Sequence, residues 1–168
     1  SLMIFNESDK DIETIPTGIF SLDKALGIGG MPKGRIIEIY GQEATGKSTV
    51  CLHLAAECQK LGGTVVYLDM EHALNPRYAE SLGVNLDTML IGQPPSGDEC
   101  LEMAENAIRS GEVSLVIVDS VAALVPQAEL NGEMGDSVMG LQARLMGQAM
   151  RKLAPVAHTT NTCVIFIN

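Results

Sequence analysis

The sequence predicts an α/β fold built from a mostly parallel β-sheet flanked by helices. Short apolar runs rich in Val and Ile alternate along the chain with longer segments of helical periodicity. The short runs are almost continuously apolar, which is typical of strands covered on both faces. Because strands that alternate with helices are joined by right-handed crossovers, neighbouring strands are expected to run parallel.

Five segments have the length and composition of strands: residues 35–40, 64–69, 88–91, 114–119 and 162–167. Three longer segments have helical spacing: residues 46–60, 98–109 and about 137–154. Glycines follow the first two helices and Pro155 follows the third, so the helices are expected to end there. In the third helix, four apolar residues form one stripe that we expect to pack in the core: Met139, Met146, Met150 and Leu153.

Composition and charge limit the class of protein. The chain has 168 residues, 46% hydrophobic and 19% charged, which indicates one folded domain and excludes a disordered or collagen-like chain. Its formal net charge is -10, so the chain as a whole repels nucleic acid. Binding to nucleic acid would therefore require a local basic patch or an assembly that changes the field.

The cysteines and the apolar runs indicate the compartment. The four cysteines have no CxxC spacing and no nearby His that would complete a zinc site, so we expect buried, reduced thiols. No apolar run reaches the length of a transmembrane helix, and no signal peptide opens the chain. We expect a cytoplasmic protein with no membrane partner.

A phosphate-binding motif follows the first predicted strand. It matches G-x-x-x-x-G-K-[ST] at every fixed position. Its residues are Gly41, Gln42, Glu43, Ala44, Thr45, Gly46, Lys47 and Ser48. Glycines let backbone N–H groups point inward at phosphates, and the N-terminus of the next helix adds partial positive charge. Lys47 is predicted to reach the β- and γ-phosphates, and the Ser48 hydroxyl to ligate Mg²⁺.

Two further carboxylates are expected at the same edge of the sheet. Asp119 ends an apolar strand, where it would hold a water on Mg²⁺ or bond to Ser48; capping of the following helix is the alternative. Glu71 lies just beyond another strand and would orient the water that attacks the γ-phosphate. Spacing alone leaves Asp69 as a rival for that role, and a solvated loop residue as a third possibility.

Residues 126–137 have the composition of a loop, and a basic stripe follows it. Glycines 132, 135 and 140 punctuate this region, which is either a functional loop at the ligand edge or a surface connection. Arg144 and Arg151 are separated by about two helical turns and share a face, with Lys152 beside them. Ordinary solvated charges are the alternative to a binding stripe.

Several segments together resemble the bacterial RecA recombinases. The resemblance lies in residues 17–27 (TGIFSLDKALG), 69–76 (DMEHALNP), 118–124 (VDSVAAL) and 132–137 (GEMGDS), besides the phosphate-binding motif. It extends from about residue 11 to the last residue. It implies a P-loop NTPase fold of RecA type and a DNA-dependent ATPase that forms helical filaments on single-stranded DNA and promotes homologous strand exchange in DNA repair.

The resemblance also implies roles for particular residues. Residues 41–49, through Thr49, would bind the triphosphate of ATP, with Lys47 and Glu71 catalytic and with Ser48 and Asp119 serving Mg²⁺. Tyr78 resembles the residue that stacks on adenine, and Asn75 occupies a nucleotide-contacting position. Four positions match residues that touch DNA: Met139, Gly140, Arg144 and Arg151.

The family extends beyond both ends of this sequence. We therefore expect residues 1–10 to be a remnant or linker and residues 11–168 to be an ATPase core that binds ATP with impaired DNA-coupled turnover. The alternatives are a nucleotide-binding module without useful hydrolysis, or another RecA-type ATPase such as a clock or replicative-helicase relative. Residues 132–137 disfavour the last of these.

Overall fold

A computed structural model describes residues 12–40, 47–121, 124 and 138–168. The strands are β1 (Thr14–Ile15), β2 (Met31–Pro32), β3 (Ile36–Ile39), β4 (Val65–Asp69), β5 (Leu90–Gly92), β6 (Leu115–Asp119) and β7 (Cys163–Ile167). The helices are α1 (Phe20–Ala25), α2 (Lys47–Lys60), α3 (Pro76–Ser81), α4 (Gly97–Arg109) and α5 (Val138–Thr160).

The main sheet has five parallel strands in the order β3-β7-β6-β4-β5. The predicted α/β class with a parallel sheet is thus confirmed, and β1 and β2 form a separate antiparallel pair. In the register of the sheet, Asp69 lies opposite Asp119, and Asp119 lies opposite Ile167. The carboxyl ends of the three central strands therefore meet at one edge.

Alternate residues of the central strands face two separate cores. One face packs against α2 through residues that include Tyr67, Leu115, Ile117, Cys163 and Ile165. The other face packs against α4 and α5 through residues that include Leu68, Val116, Val118, Val164 and Phe166. Both faces are covered, which explains why these strands read as continuous apolar runs in the sequence.

Helix α2 ends at the glycines that the sequence indicated. The Gly63 N–H donates to the Cys58 carbonyl at 2.9 Å, and the Gly62 N–H donates to the Gln59 carbonyl at 3.0 Å. This is the Schellman arrangement, and it requires a left-handed residue, here Gly62 with φ +84°. The chain then turns directly into β4, which fixes the path from α2 to the carboxyl edge.

Helix α5 does not end before Pro155, as the sequence had predicted, but continues to Thr160. The prediction was wrong because the apolar stripe continues past the proline. Four buried residues at intervals of four form this stripe: Leu145, Ala149, Leu153 and Ala157. Met146 and Met150 pack beside it, partly buried, while the side chain of Met139 lies outside the described part of the chain.

The cysteines agree with a further expectation. All four cysteines are free thiols and are buried. Among the described helices, none combines the length and apolarity needed to cross a membrane.

Candidate active site

Asp119 is the centre of a hydrogen-bonded group at the carboxyl edge of the sheet. It is the last residue of β6, and its Oδ2 accepts a hydrogen bond from the Ser48 hydroxyl at 3.0 Å. Ser48 lies in the first turn of α2. The same Oδ2 accepts a second hydrogen bond, from the Tyr67 hydroxyl at 2.5 Å. The fold therefore brings together the two residues that the sequence assigned to Mg²⁺, and adds a third.

Tyr67 is the residue that sequence reasoning missed. Its side chain belongs to the core between the sheet and α2 and is only 1% exposed. Burial, and next the negative charge of Asp119, raise the pKa of the Tyr67 hydroxyl, so this group stays protonated and keeps donating. In the sequence of β4, Tyr67 is indistinguishable from the apolar core positions beside it. It lies close to Asp119 only because β4 and β6 are neighbours in the sheet.

Glu71 and Asp69 have different surroundings. The Ser120 hydroxyl donates to Glu71 Oε1 at 2.9 Å, and Glu71 is exposed. Asp69 is 1% exposed, and its two carboxylate oxygens accept the backbone N–H groups of Ala73 at 3.1 Å and Leu74 at 3.0 Å. Asp69 thus organises the turn after β4, whereas Glu71 faces solvent with one hydroxyl donor from the end of β6.

Two residues expected to contact the nucleotide, Asn75 and Tyr78, lie at the start of α3. Asn75 caps this helix, since its Oδ1 accepts the Tyr78 N–H at 3.1 Å, and Pro76 occupies its first turn. The Tyr78 hydroxyl is hydrogen-bonded to Thr49 Oγ1 at 2.7 Å, and the Tyr78 side chain is 43% exposed. An accessible aromatic ring is thereby connected to the second residue after Lys47.

Part of the predicted site lies outside the described residues. This part comprises Gly41, Gln42, Glu43, Ala44, Thr45, Gly46 and the side chain of Lys47. The loop at residues 126–137 and the Met139 side chain also lie outside the described residues. The backbone of Lys47, with Ser48 and Thr49, shows where the motif leads into α2.

Three of the four predicted DNA-contacting residues lie on the exposed side of α5. Gly140, Arg144 and Arg151 are exposed there. Arg151 Nη1 lies 3.5 Å from where a Cβ on Gly147 would be, so its guanidinium extends back along this side. The neighbouring Lys152 is directed to α4, where its Nζ lies 3.6 Å from Glu105 Oε2.

The first part of α5 lies near the carboxyl edge of the sheet. A small cavity joins it to the residues that follow β6 and β7. The cavity is lined by Glu38, Val121, Gln142, Ala143, Met146 and Asn168. Arg144 therefore belongs to the same end of the molecule as Asp119, although the two are on different elements.

The donors around Asp119 are suited to Mg²⁺. The group offers a hydroxyl oxygen and a carboxylate oxygen 3.0 Å apart, and Mg²⁺ prefers oxygen ligands. Within the described ranges, no cluster of three or more His, Cys, Asp or Glu side chains could hold a metal by itself. A Mg²⁺ ion that arrives with nucleotide phosphates needs only one or two protein groups, so Ser48 and Asp119 fit this use.

The parallel sheet, the Ser48–Asp119 contact at its carboxyl edge and the motif preceding α2 define a P-loop NTPase fold of RecA type. The family model for the RecA N-terminal domain matches residues 1–168, and the chain belongs to this family.

Curated relatives carry the name Protein RecA. The chain is 58% identical over 169 residues to the protein of Caulobacter sp. (strain K31), covering 100% of this chain and 48% of the relative. It is 58% identical over 163 residues to that of Geobacter metallireducens, covering 97% and 48%. For Thioalkalivibrio sulfidiphilus the identity is 59% over 159 residues, covering 95% and 46%. The chain thus spans about half the length of the curated relatives it matches.

Proposed function

We propose that this chain binds ATP with Mg²⁺ and hydrolyses it as the ATP-binding core of a DNA-dependent ATPase of the RecA type. The hydrogen bond between Ser48 and Asp119 at the carboxyl edge is the observation that carries the proposal. It joins the end of the phosphate-binding motif to the acidic end of β6, as a Mg²⁺–nucleotide site requires. Membership of the RecA N-terminal domain family supports the same function.

The nucleotide would be held along the start of α2 and α3. Backbone N–H groups of residues 41–48, with the Lys47 ammonium, would bind the phosphates, and Thr49 would complete this set. Tyr78 would stack on the base, and its hydrogen bond to Thr49 would hold the ring beside the motif. Asn75 would contact the nucleotide while its Oδ1 caps α3.

Hydrolysis would proceed by in-line attack of water on the γ-phosphorus. The bond from the γ-phosphorus to the β–γ bridging oxygen breaks, ADP and phosphate are released, and the water proton passes to the Glu71 carboxylate. Asp69 is less suited to receive it, because both of its oxygens already accept backbone N–H groups in a buried turn. The Ser120 hydroxyl fixes one oxygen of Glu71.

Bound Mg²⁺ would supply positive charge that offsets the negative charge on the phosphate oxygens. Ser48 would offer its oxygen to the cation while its proton remains hydrogen-bonded to Asp119, and Asp119 would accept a hydrogen bond from a water on the cation. These assignments use donors and acceptors that already face each other at the edge of the sheet.

Single-stranded DNA would bind on the exposed side of α5. Met139, Gly140, Arg144 and Arg151 would be the contacts, with the two guanidinium groups binding phosphates. The net charge of -10 weakens binding by a single copy. Assembly into a filament would align these arginines along the strand and make binding cooperative.

Nucleotide binding and turnover test the proposal together. A fluorescent ATP analogue measures affinity, and phosphate release with and without an oligonucleotide measures turnover for the wild type, Lys47→Ala, Glu71→Gln and Asp69→Asn. Lys47→Ala should abolish binding, and Glu71→Gln should keep binding while turnover falls at least about a hundredfold. Unchanged affinity in Lys47→Ala would refute the phosphate site, and unchanged turnover in Glu71→Gln would move the base to Asp69.

The same assay separates the alternatives. Binding without turnover above that of Glu71→Gln would identify a nucleotide-binding module. A weak response to oligonucleotide would agree with impaired DNA coupling in a core formed by residues 11–168.

A further inference from the structure

The hydroxyl of Tyr67 belongs to a stretch of β4 that is otherwise apolar. Tyr67 is in the middle of β4, whose other residues before Asp69 are Val65, Val66 and Leu68. The ring packs in the core beneath α2, and the side chain is 1% exposed. A buried hydroxyl is costly unless it is hydrogen-bonded, and a phenylalanine ring would fill the same volume. The hydroxyl therefore calls for an explanation beyond packing.

The explanation is the acceptor of the Tyr67 hydroxyl, a carboxylate oxygen of Asp119. The Tyr67 hydroxyl donates to Asp119 Oδ2 at 2.5 Å, and the Ser48 hydroxyl donates to the same atom at 3.0 Å. Among the described residues, the two hydroxyls that donate to the Asp119 side chain both bond to Oδ2. Two donors from different elements restrict the rotation of the carboxylate and leave Oδ1 to accept a further hydrogen bond.

We propose that Tyr67 is a positioning residue for the Mg²⁺–nucleotide complex: its hydroxyl holds the Asp119 carboxylate in the orientation that receives a cation-bound water. This inference rests on the proposed function. Groups that orient a metal-binding side chain typically change metal affinity by about tenfold or more when they are removed. Tyr67 would act through Asp119, to which its hydroxyl donates.

The test measures how much Mg²⁺ is needed for nucleotide binding. The fluorescent ATP analogue is titrated with Mg²⁺ against the wild type, Tyr67→Phe and the matched control Tyr40→Phe, whose ring is 69% exposed. Tyr67→Phe should raise the half-saturating Mg²⁺ concentration about tenfold. Affinity for the analogue in EDTA should not change, and Tyr40→Phe should behave as the wild type throughout.

Turnover gives a second readout that a purely structural role would not produce. In Tyr67→Phe, saturating Mg²⁺ should restore most of kcat, while at low Mg²⁺ the KM for ATP should remain raised. A Tyr67→Phe protein with normal Mg²⁺ dependence would overturn the inference and leave the proposed function intact. A wild type whose affinity for the analogue and whose turnover are the same with Mg²⁺ and in EDTA would refute both.

A measurement on the wild type covers the case in which Tyr67→Phe does not fold. The chain has three tyrosines, so ¹³C labelling at the ring carbon bearing the hydroxyl gives three assignable resonances. Adding Mg²⁺ to the nucleotide-bound protein should shift the Tyr67 resonance, because the Asp119 carboxylate gains a third hydrogen-bonding partner beside Tyr67 and Ser48. An unshifted Tyr67 resonance would overturn the inference.

Discussion

Asp69, Glu71 and Asp119 lie at one edge of the sheet but bind different partners. Asp69 is buried and accepts backbone N–H groups, so it stabilises a turn. Asp119 accepts two side-chain hydroxyls, which suits a residue that must keep one orientation. Glu71 is exposed and accepts a hydrogen bond from the Ser120 hydroxyl, which leaves its carboxylate accessible to water. Local contacts thus distinguish Asp69 from Glu71, the two carboxylates that spacing alone left as rivals for one role.

The Ser120 hydroxyl should affect turnover and not binding. Ser120→Ala removes the donor that fixes Glu71 Oε1, so the proposed base loses its orientation. We expect kcat for ATP hydrolysis to fall about tenfold, which is less than the whole rate enhancement that a general base provides. The affinity for the analogue should not change. Steady-state phosphate release checks this.

Two further variants serve as controls for Ser120→Ala. Ser110→Ala alters an exposed serine at the end of α4 and should leave both parameters unchanged. Ser120→Thr keeps the hydroxyl and should recover part of the rate. Equal rates for Ser120→Ala and the wild type would show that Glu71 needs no such support.

At the scale of elements, long periodic segments were predictable and short ones were not. The five strands and three long helices carry their own apolar periodicity, so their positions follow from sequence. Helices α1 and α3 and the β1–β2 pair are too short for periodicity. Helix α3 nevertheless carries a local signal, Asn75 followed by Pro76, that could have revealed it. The end of α5 was missed because buried contacts outweigh the local effect of Pro155.

Replacing Pro155 should stabilise the protein. Proline in a helix interior is about 3 kcal/mol less favourable than alanine. Alanine also raises the conformational entropy of the unfolded chain, which lowers the free energy of unfolding by up to about 1 kcal/mol. Pro155 is exposed, so no packing is lost, and Pro155→Ala restores an N–H that can bond to the Arg151 carbonyl. We expect the Tm to rise by several degrees in a thermal scan.

The control for Pro155→Ala is the proline of α3. Pro76 lies in the first turn of its helix, where the missing N–H costs nothing and the fixed φ is favourable. Pro76→Ala should therefore leave the Tm unchanged or lower it. A Tm that falls in Pro155→Ala would mean that the helix is not continuous through that position.

At the scale of the whole molecule, the site depends on the order of the strands in the sheet, which was not predicted from the sequence. Strand β6 lies between β7 and β4, so Tyr67 and Asp119 meet although they are 52 positions apart in the sequence. The phosphate-binding motif, in contrast, is a run of consecutive residues with its own spacing. Sequence therefore predicts the pieces of the site, whereas the contacts among Tyr67, Ser48, Asp119, Glu71 and Ser120 emerge only from the fold.

The charge distribution makes a prediction about DNA. Because the chain carries a net charge of -10, binding should depend on the few cations that reach phosphates. Arg144→Ala and Arg151→Ala should each weaken binding of a single-stranded oligonucleotide and reduce the slope of log affinity against log salt by about 1. Fluorescence anisotropy with a non-hydrolysable ATP analogue at several salt concentrations measures this.

Lys152→Ala is the matched control for the arginine variants. Lys152 neighbours Arg151 but is paired with Glu105 on α4, so its removal should change the slope much less. Slopes that are equal in the wild type and both arginine variants would place the DNA elsewhere.

Alkaline pH should unfold the whole molecule through its buried thiols. Burial raises the pKa of Cys100 and of Cys163 from 9.0 to about 12 each, and it also raises the pKa of Cys51 and Cys58. Above about pH 9 the unfolded chain releases thiol protons that the folded chain retains, so the free energy of unfolding falls as pH rises. Each thiol contributes up to about 1.4 kcal/mol per pH unit.

Urea unfolding in reducing buffer at several pH values measures this slope. Stability should show no thiol-dependent change below about pH 8 and should decline steeply between about pH 9 and pH 12. Cys100→Ala tests the cause. The substitution should lower the free energy of unfolding at neutral pH, because it creates a cavity. Above about pH 9 the free energy of unfolding of this variant should decline less steeply than that of the wild type, because one buried thiol is gone. If the slope in Cys100→Ala equals that of the wild type, this thiol keeps its ordinary pKa in the fold, and the alkaline decline arises from other groups.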